Sequence, residues 1–541
     1  SELAKVAGNQ IVREFQEWIF KDSARRQQLV TVFNDTFNTV QLRQYDGSHM
    51  TFPGKVPDEI INLTRHQKNA IWRGIVDRFV LYDHVVGAGK TYTAVARAME
   101  RRRMGLSRKP AIVVPNHLVG QFAAAAYRLY PGAKILAASR SDFDARNRRR
   151  MFGKIASGDW DMVIMAHSSF GFIDIAPETE RRFLEEEYRV ARDAAQEAHD
   201  AAVEEGWNGA VGKPFTVKQA EKLVTTIEAR LDGLKKRKRD KLLTFEQMGI
   251  DDLTIDEAHE FKNLFYSSRL TKVRGLNNKA GSQKAFDLHN KVRLLAESPK
   301  GSVVFMTGTP ISNSAVEAYT MMRYLARKQL QEVGLEHFDA WRAQFVDAAV
   351  EWEPDETGRL QQVARLGRDW SNMRSMMNIY RTFTDAVSIE EIKKWYAEDN
   401  NGKPFPIPFL KGGDRQRVVV KPTPGQVSEL EAVIHGFDHL PGIQDPNQRN
   451  AERLRLMNRA RNVSLDVRAA HKGAAYEPGG KIDAAVENIF NLYQKWTDDK
   501  GVQLVFLDRS VPKAKGDDKV IKQYDALIAA RDKALKDGDE D

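Results

Sequence analysis

Phe79-Val80-Leu81-Tyr82-Asp83-His84-Val85-Val86-Gly87-Ala88-Gly89-Lys90-Thr91 joins a short apolar run to a glycine-rich turn. Residues 92–104 follow with the Ala-rich composition of a helix. A strand, a glycine turn and a helix in that order suit a phosphate-binding loop. Glycines let backbone N–H groups approach phosphate oxygens, and a helix N-terminus favours the anion. Gly87, Ala88 and Gly89 would form the cradle. Lys90 would neutralise the β- and γ-phosphates of ATP, and Thr91 would offer its hydroxyl to Mg²⁺. The pattern G-x-x-x-x-G-K-[ST] is incomplete, because His84 stands where its first glycine belongs. A Gly-Lys-Thr before a helix also arises as an ordinary turn, so this loop needs companions.

The companions follow in order. Leu253-Thr254-Ile255 is an apolar strand that runs into Asp256-Glu257-Ala258-His259. At a strand end Asp256 can hold Mg²⁺, directly or through water, and Glu257 can polarise an attacking water as general base. Val303-Val304-Phe305-Met306 runs into Thr307-Gly308-Thr309-Pro310. That is a strand-to-helix turn whose hydroxyls, on Thr307 and Thr309, are also placed to sense a γ-phosphate. Arg65-His66-Gln67 precedes the loop, and the Gln67 amide can read both the donor and acceptor edges of adenine.

Outward from these anchors, apolar runs at 79–82, 111–114, 134–136, 161–165, 253–255 and 303–306 alternate with helical stretches. Continuous apolar strands imply an α/β fold with a parallel sheet covered on both faces. One insertion, 176–248, interrupts the alternation. Residues 178–205 hold ten carboxylates against four Arg, and 216–243 hold nine Lys and Arg against four acids. Oppositely charged halves around Gly206-Trp207-Asn208-Gly209 predict an antiparallel helical hairpin. Its basic run Lys235-Lys236-Arg237-Lys238-Arg239 suits arm pairing or DNA contact. The expected domains are a helical region at 1–54, a nucleotide-binding lobe at 55–325, a mostly helical region at 326–414 and a partial second lobe at 415–541. The last would open on an edge strand, Arg417-Val418-Val419-Val420, and reach a buried strand at 502–507.

The 541 residues include no cysteine, which excludes disulfides, thiol catalysis, Cys-based zinc sites and iron–sulfur clusters. It also fits a reducing cytoplasm, as does an N-terminus without an apolar signal-type run. No apolar stretch approaches the ~20 residues of a membrane helix. A net charge of +9 permits nucleic-acid binding without requiring it. Arg140, Arg146, Arg148, Arg149 and Arg150, around Phe143 and Phe152, read either as phosphate contacts with the aromatics packed inward or as a solvated basic face.

The set Tyr45-Asp46-Gly47-Ser48-His49, Arg65-His66-Gln67-Lys68-Asn69-Ala70, His84 to Thr91, Val113-Val114-Pro115-Asn116-His117-Leu118 and Asp256-Glu257-Ala258-His259-Glu260-Phe261-Lys262-Asn263 resembles superfamily 2 helicases of the Swi/Snf-like DNA-translocase branch. More closely it resembles large phage- and plasmid-borne helicase/methylase proteins associated with anti-restriction. The resemblance is strong to about residue 325 and weak beyond 380. It implies RecA-like lobes, ATP with Mg²⁺, and duplex DNA as partner. It implies that Gln67 contacts adenine and that His259 couples the ATP site to Thr307 and Thr309. Asn116, His117 and the turn Ala166-His167-Ser168 would lie on the DNA-facing side of the first lobe.

Two departures shape the expectation. The Gln-x-x-Gly-Arg-x-x-Arg element that carries an arginine finger in the second lobe does not occur, and Arg365-Leu366-Gly367-Arg368 follows no suitable strand. The resemblance also implies an adenine methyltransferase domain upstream, as relatives often carry; no Asn-Pro-Pro-Tyr or Asp-Pro-Pro-Tyr element occurs here, so such a domain would lie outside this stretch, in a longer protein. The leading expectation is an ATP-dependent DNA motor that is a fragment of such a protein. A DNA-binding scaffold with a nucleotide switch is the alternative.

Overall fold

The computed structural model describes residues 28, 43–204, 207, 215–236, 242–266, 268, 273–274, 276, 281–312, 314–354, 360–406, 416–471 and 473–506. They form two compact units, Ser1–Glu351 with Val363–Pro406, and Trp352–Gln362 with Ile407–Asp541.

The first unit is α/β. Its sheet contains β1 (Phe79–His84), β2 (Pro110–Val114), β3 (Ile135–Ala138), β4 (Met162–Ala166), β5 (Asp252–Asp256), β7 (Ser302–Thr307) and β10 (Thr384–Val387). The order is β10-β1-β7-β5-β2-β4-β3, and every pairing is parallel. Side chains alternate across a strand, and here both sides are covered. Leu81, Val113, Val163, Leu253, Ile255 and Phe305 enter one core. Val80, Tyr82, Ile112, Ile164, Val304 and Met306 enter the other. That is why these strands read as unbroken apolar runs.

The second of these cores packs against α1 (Arg65–Val76), α2 (Lys90–Arg103) and α3 (Val119–Leu129) through Ala70, Ile71, Ala94, Val95, Phe122 and Ala126. The first packs against α4 (Arg148–Ser157), which contributes Phe152 and Ile155. The insertion forms α5 (Pro177–Glu204) and α6 (Phe215–Lys236), and among the described residues it adds no strand to the sheet. Leu184, Ala191 and Ile227 seal the two helices onto Phe286 of α7 (Gln283–Glu297). Arg182 pairs with Glu297 at 2.6 Å and Arg293 with Glu186, tying the arm's root to α7. The side chains of the basic run 235–239 lie outside the described residues. α8 (Ala315–Leu325) and α9 (Ile389–Asp399) complete the labelled helices.

Three expectations are corrected. The described residues of 326–414 are not mostly helical: β8 (Val346–Pro354) and β9 (Leu360–Trp370) form a three-stranded sheet with β6 (Val273–Arg274), and β10 joins the main sheet beside β1. Short mixed runs such as Thr384-Asp385-Ala386-Val387 have no periodicity of their own, and pairing with Leu81–His84 makes this one a strand. Arg365 and Arg368 lie within β9. Arg417–Val420 is not a strand, and Val418 and Val419 are exposed. Residues 502–506 are likewise unpaired, with Val502, Leu504, Val505 and Phe506 exposed. A strand needs a ladder partner, and none of residues 416–506 pairs in one; they hold the helices Pro424–His439, Pro446–Val463 and Lys481–Lys495. The helical reading of 1–54 falls mostly outside the described residues. Of its described part, residue 28 is helical and 43–54 contain no helix.

One buried polar cluster runs through the second core. Alternation puts Asp252, Thr254 and Asp256 on one face of β5, toward α2. Asp252 pairs with Arg97 at 2.9 Å and with Arg101 at 3.1 Å. Arg97 also donates to the Gly74 carbonyl at 2.9 Å and the Ser302 hydroxyl at 2.5 Å. Removing one partner of a buried pair strands the other charge and costs about 3–5 kcal/mol. Asp252→Asn and Arg97→Met are each expected to lower stability by that amount, read as a reduced urea midpoint at unchanged slope.

Candidate functional site: a phosphate loop and an adjoining cleft

The loop between β1 and α2 turns on two glycines in the left-handed region, Gly87 (φ 89°) and Gly89 (φ 76°). A Cβ on Gly87 would meet nothing within 4 Å, whereas one on Gly89 would lie 2.3 Å from Gln67 Nε2. Gln67 is buried. Its Nε2 donates to the Gly89 carbonyl at 3.0 Å and its Oε1 accepts from the Thr64 amide at 2.9 Å. The amide expected at adenine therefore braces the loop backbone here. His66 lies 2.9 Å from the Ala88 carbonyl. Lys90 Nζ donates to the carbonyls of His84 at 2.9 Å and Val85 at 3.3 Å. Burial pushes the ammonium below the ordinary lysine range, against the pull of Asp256 and Glu257. Thr91 stands beside it in the first turn of α2.

His84, the residue in place of the first glycine, ends β1 and is fully buried. Its Nε2 lies 2.7 Å from Asp385 Oδ2 on β10. Arg73 on α1 reaches the same carboxylate at 3.4 Å and donates to the Thr384 carbonyl at 2.7 Å. Burial alone would raise the Asp385 pKa, but the partners His84 and Arg73 outweigh it and hold the carboxyl below its usual range. The Val85 amide donates to the Val387 carbonyl at 3.1 Å. Above the loop, Ile392 of α9 packs with Ala88 and Val387, and Trp395 stacks on His66 at 6.2 Å between centroids. The departure at His84 was visible in the sequence; its partner, 301 residues away, carried no signal. Trp395 carried none either.

Asp256 ends β5, two strands from the loop, and is buried. Burial and the adjacent Glu257 carboxylate push it up to about 6. Glu257 has a left-handed backbone, φ 50° and ψ 48°, which costs a non-glycine residue about 1–2 kcal/mol. His259 Nδ1 lies 3.0 Å from Glu257 Oε2 and 3.1 Å from Thr307 Oγ1. The Thr309 amide donates to that hydroxyl at 3.1 Å. Thr307, Thr309, His259 and Glu257 thus form one connected group at the ends of β5 and β7.

The candidate nucleic-acid residues converge only in part. Asn116, His117, His167 and Ser168 line one cleft of about 570 Å³ with Phe172, Glu260, Gln283 and Lys284. Asn116 and Ser168 are linked by a 3.0 Å hydrogen bond. Arg148 borders it, its guanidinium 4.1 Å from the centroid of Phe172, while Arg146 and Arg149 are exposed on and before α4. Phe143 and Phe152 are buried against each other. Glu260 and Lys284 were not singled out in the sequence, since a charged pair 24 residues apart has no motif. The Tyr45–His49 motif packs on α1: Tyr45 donates to Asp77 at 2.5 Å and His49 meets Trp72 edge-on.

The donor set suits a hard cation shared with phosphates. Thr91 and Asp256 offer oxygen only, and no group of three or more His or carboxylate ligands occurs among the described residues. That matches Mg²⁺, which is held through one or two carboxylates plus substrate phosphates. Gly89→Ala, which collides with Gln67 and strains φ, is expected to weaken binding of a fluorescent ATP analogue far more than Gly87→Ala. Asp256 predicts a pH effect in chelator. A carboxyl raised on folding favours the fold at low pH, and that contribution is lost as pH rises through about 6. Asp256→Asn is therefore expected to stabilise metal-free protein by roughly 2–3 kcal/mol at pH 8 and by little at pH 4, read by denaturant titration at both pH values.

Among the described residues no helix is long and apolar enough to cross a membrane. A curated relative, "Defense against restriction protein B" of Escherichia phage P1, is 23% identical over 420 residues, 70% of this chain and 18% of that protein. The chain thus spans about a fifth of that relative's length. Two solved structures, the Sulfolobus solfataricus SWI2/SNF2 ATPase core with dsDNA and the same core domain alone, align at 13% and 14% identity with TM-scores of 0.33 and 0.30. They cover 82% and 84% of this chain and 66% and 68% of their own. Residues 1–39 match a domain of unknown function. Residues 74–387, from within α1 to the last residue of β10, match the family described as a probable helicase domain. That span is more than half of the chain and contains the loop, Asp256 and Thr307, and the chain belongs to this helicase-domain family.

Proposed function

We propose that the chain is the nucleotide-hydrolysing part of a DNA-dependent, ATP-driven helicase or translocase. The observation that carries this reading is the convergence of Lys90, at the start of α2, with Asp256 and Glu257, at the end of β5, on either side of one loop mouth. Lys90 would bind the β- and γ-phosphates, and Gly87–Gly89 would cradle them. Thr91 and Asp256 would hold Mg²⁺, which when bound neutralises charge on the phosphate oxygens. Glu257, half-exposed and braced by His259, would accept the proton of the water that attacks the γ-phosphorus as ADP departs. His259, bonded to Thr307, would pass the loss of γ-phosphate to the turn at 307–309.

Duplex DNA is the partner in this reading, with the cleft of Asn116, His117, His167 and Ser168 as its contact on this lobe. The basic, exposed Arg146 and Arg149 extend it. Helicase-domain membership and the phage P1 relative support placing the chain in a larger phage-borne protein that counters restriction. In this reading a methyltransferase domain would lie upstream in that protein.

ATP turnover of the parent protein with and without duplex DNA tests this. DNA is expected to stimulate turnover, and Glu257→Gln is expected to lower it about 10²–10⁴-fold while nucleotide still binds. Nucleotide binding without hydrolysis in the unmodified protein would replace the motor by a binding switch.

A further inference from the structure

One side chain belongs to both the cleft and the nucleotide site. His167 lines the cleft and is buried, packed edge-on against Phe261 at 5.1 Å between centroids. Its Nε2 lies 2.8 Å from the backbone carbonyl of Asp256. Its Nδ1 lies 3.3 Å from Glu260 Oε2. That same oxygen accepts from Lys284 Nζ at 2.5 Å, and Lys284 sits 4.3 Å over the Phe261 ring at the cleft wall.

A neutral imidazole carries one N–H, and here two acceptors compete for it. The distances show which one holds it: 2.8 Å is a full hydrogen bond, and 3.3 Å is a stretched contact. Lys284 explains the choice, since it already satisfies the Glu260 oxygen. With Lys284 drawn elsewhere, the bare carboxylate becomes the stronger acceptor, because charge-assisted hydrogen bonds are roughly twice as strong as neutral ones. The ring then carries its single proton on Nδ1, and the Asp256 carbonyl loses its donor.

That carbonyl belongs to the peptide joining Asp256 to Glu257. Glu257 is the residue whose backbone is held at φ 50° and ψ 48°. Strained backbone of this kind persists only while its surroundings impose it. Release of the Asp256 carbonyl therefore acts directly on the carboxylate placed to activate water.

We propose that His167 is a positioning residue that reports phosphodiester occupancy of the cleft to the Asp256–Glu257 peptide, by way of Lys284 and Glu260. A phosphate is the ligand class that would draw Lys284 from Glu260. The inference rests on the reading of the cleft as a DNA contact, but not on hydrolysis.

The test is linkage of two binding events, measured on the parent protein with Mg²⁺ and a fluorescent ATP analogue, with and without a short random-sequence duplex. The duplex is expected to change the analogue's Kd by about fivefold or more. His167→Phe, which keeps the packing against Phe261 and lacks the N–H, is expected to bring that ratio close to one. Lys284→Ala, half-exposed on the cleft wall, is expected to give the DNA-free protein the Kd that the unmodified protein shows only with DNA. A purely structural role for these residues would not produce that shift. An unmodified protein without linkage overturns the inference, as does His167→Phe with its ratio intact. If His167→Phe does not fold, Lys284→Ala decides: an unchanged DNA-free Kd overturns the inference. Failure of the motor reading shows separately, as absent turnover while linkage persists.

Discussion

Asp252 and the two guanidiniums that reach it set the register on which the site depends. A helix advances about 1.5 Å per residue and a strand about 3.3 Å. The seven residues from Lys90 to Arg97 and the four from Asp252 to Asp256 therefore cover similar lengths, roughly 10 and 13 Å. Pinning Arg97 and Arg101 to Asp252 at one end of α2 brings Lys90 level with Asp256 at the other. Apolar packing alone would not choose this position, because the Ala-rich face of α2 tolerates sliding along a smooth strand surface. A buried ion pair contributes little net stability, since desolvation offsets much of its attraction. Its value here is positional, and the hydrogen bonds from Arg97 to Gly74 and Ser302 extend that positioning to α1 and β7.

The same device recurs at the sheet edge. His84 and Arg73 converge on Asp385, and the loop's first amide donates to Val387. A glycine at position 84 would have let the chain turn earlier. β1 instead runs through His84, which stands in register with Val387 of β10, and the turn is left to Val85–Gly89. The phosphate loop is thus held by strand pairing on its outer side, and by Gln67 and His66 on its inner side.

Much of the first unit was legible in the sequence because its signals are local. Strands buried on both faces show as continuous apolar runs, and the loop, Asp256-Glu257 and Thr307-Gly308-Thr309 stand at their ends. The hairpin α5–α6 shows in the opposite charges of its halves. What escaped depends on distant pairing. Thr384–Val387 is a strand only because β1 is beside it. Val418–Val420 and Val502–Phe506 have the composition of strands but lie unpaired, with Val418, Val419, Val502, Leu504, Val505 and Phe506 exposed, which local composition cannot reveal. The cleft shows both limits. Asn116, His117, His167 and Ser168 came from motif resemblance, whereas Lys284 and Glu260 meet only through the packing of α7.

The edge strand β10 also imposes an order on biosynthesis. Asp385 completes a contact with His84 across 301 residues, and contacts of such long sequence separation form late because loop closure must precede them. A chain emerging N-terminus first presents its glycine loop early, yet neither the acceptor for Val85 nor the partner for His84 exists until residue 387 has been made. Until then β1 has an unpaired edge and a buried-type histidine without a partner. The outer-side contacts of the glycine loop are therefore completed only at the end of the helicase-domain span, which closes at that same residue.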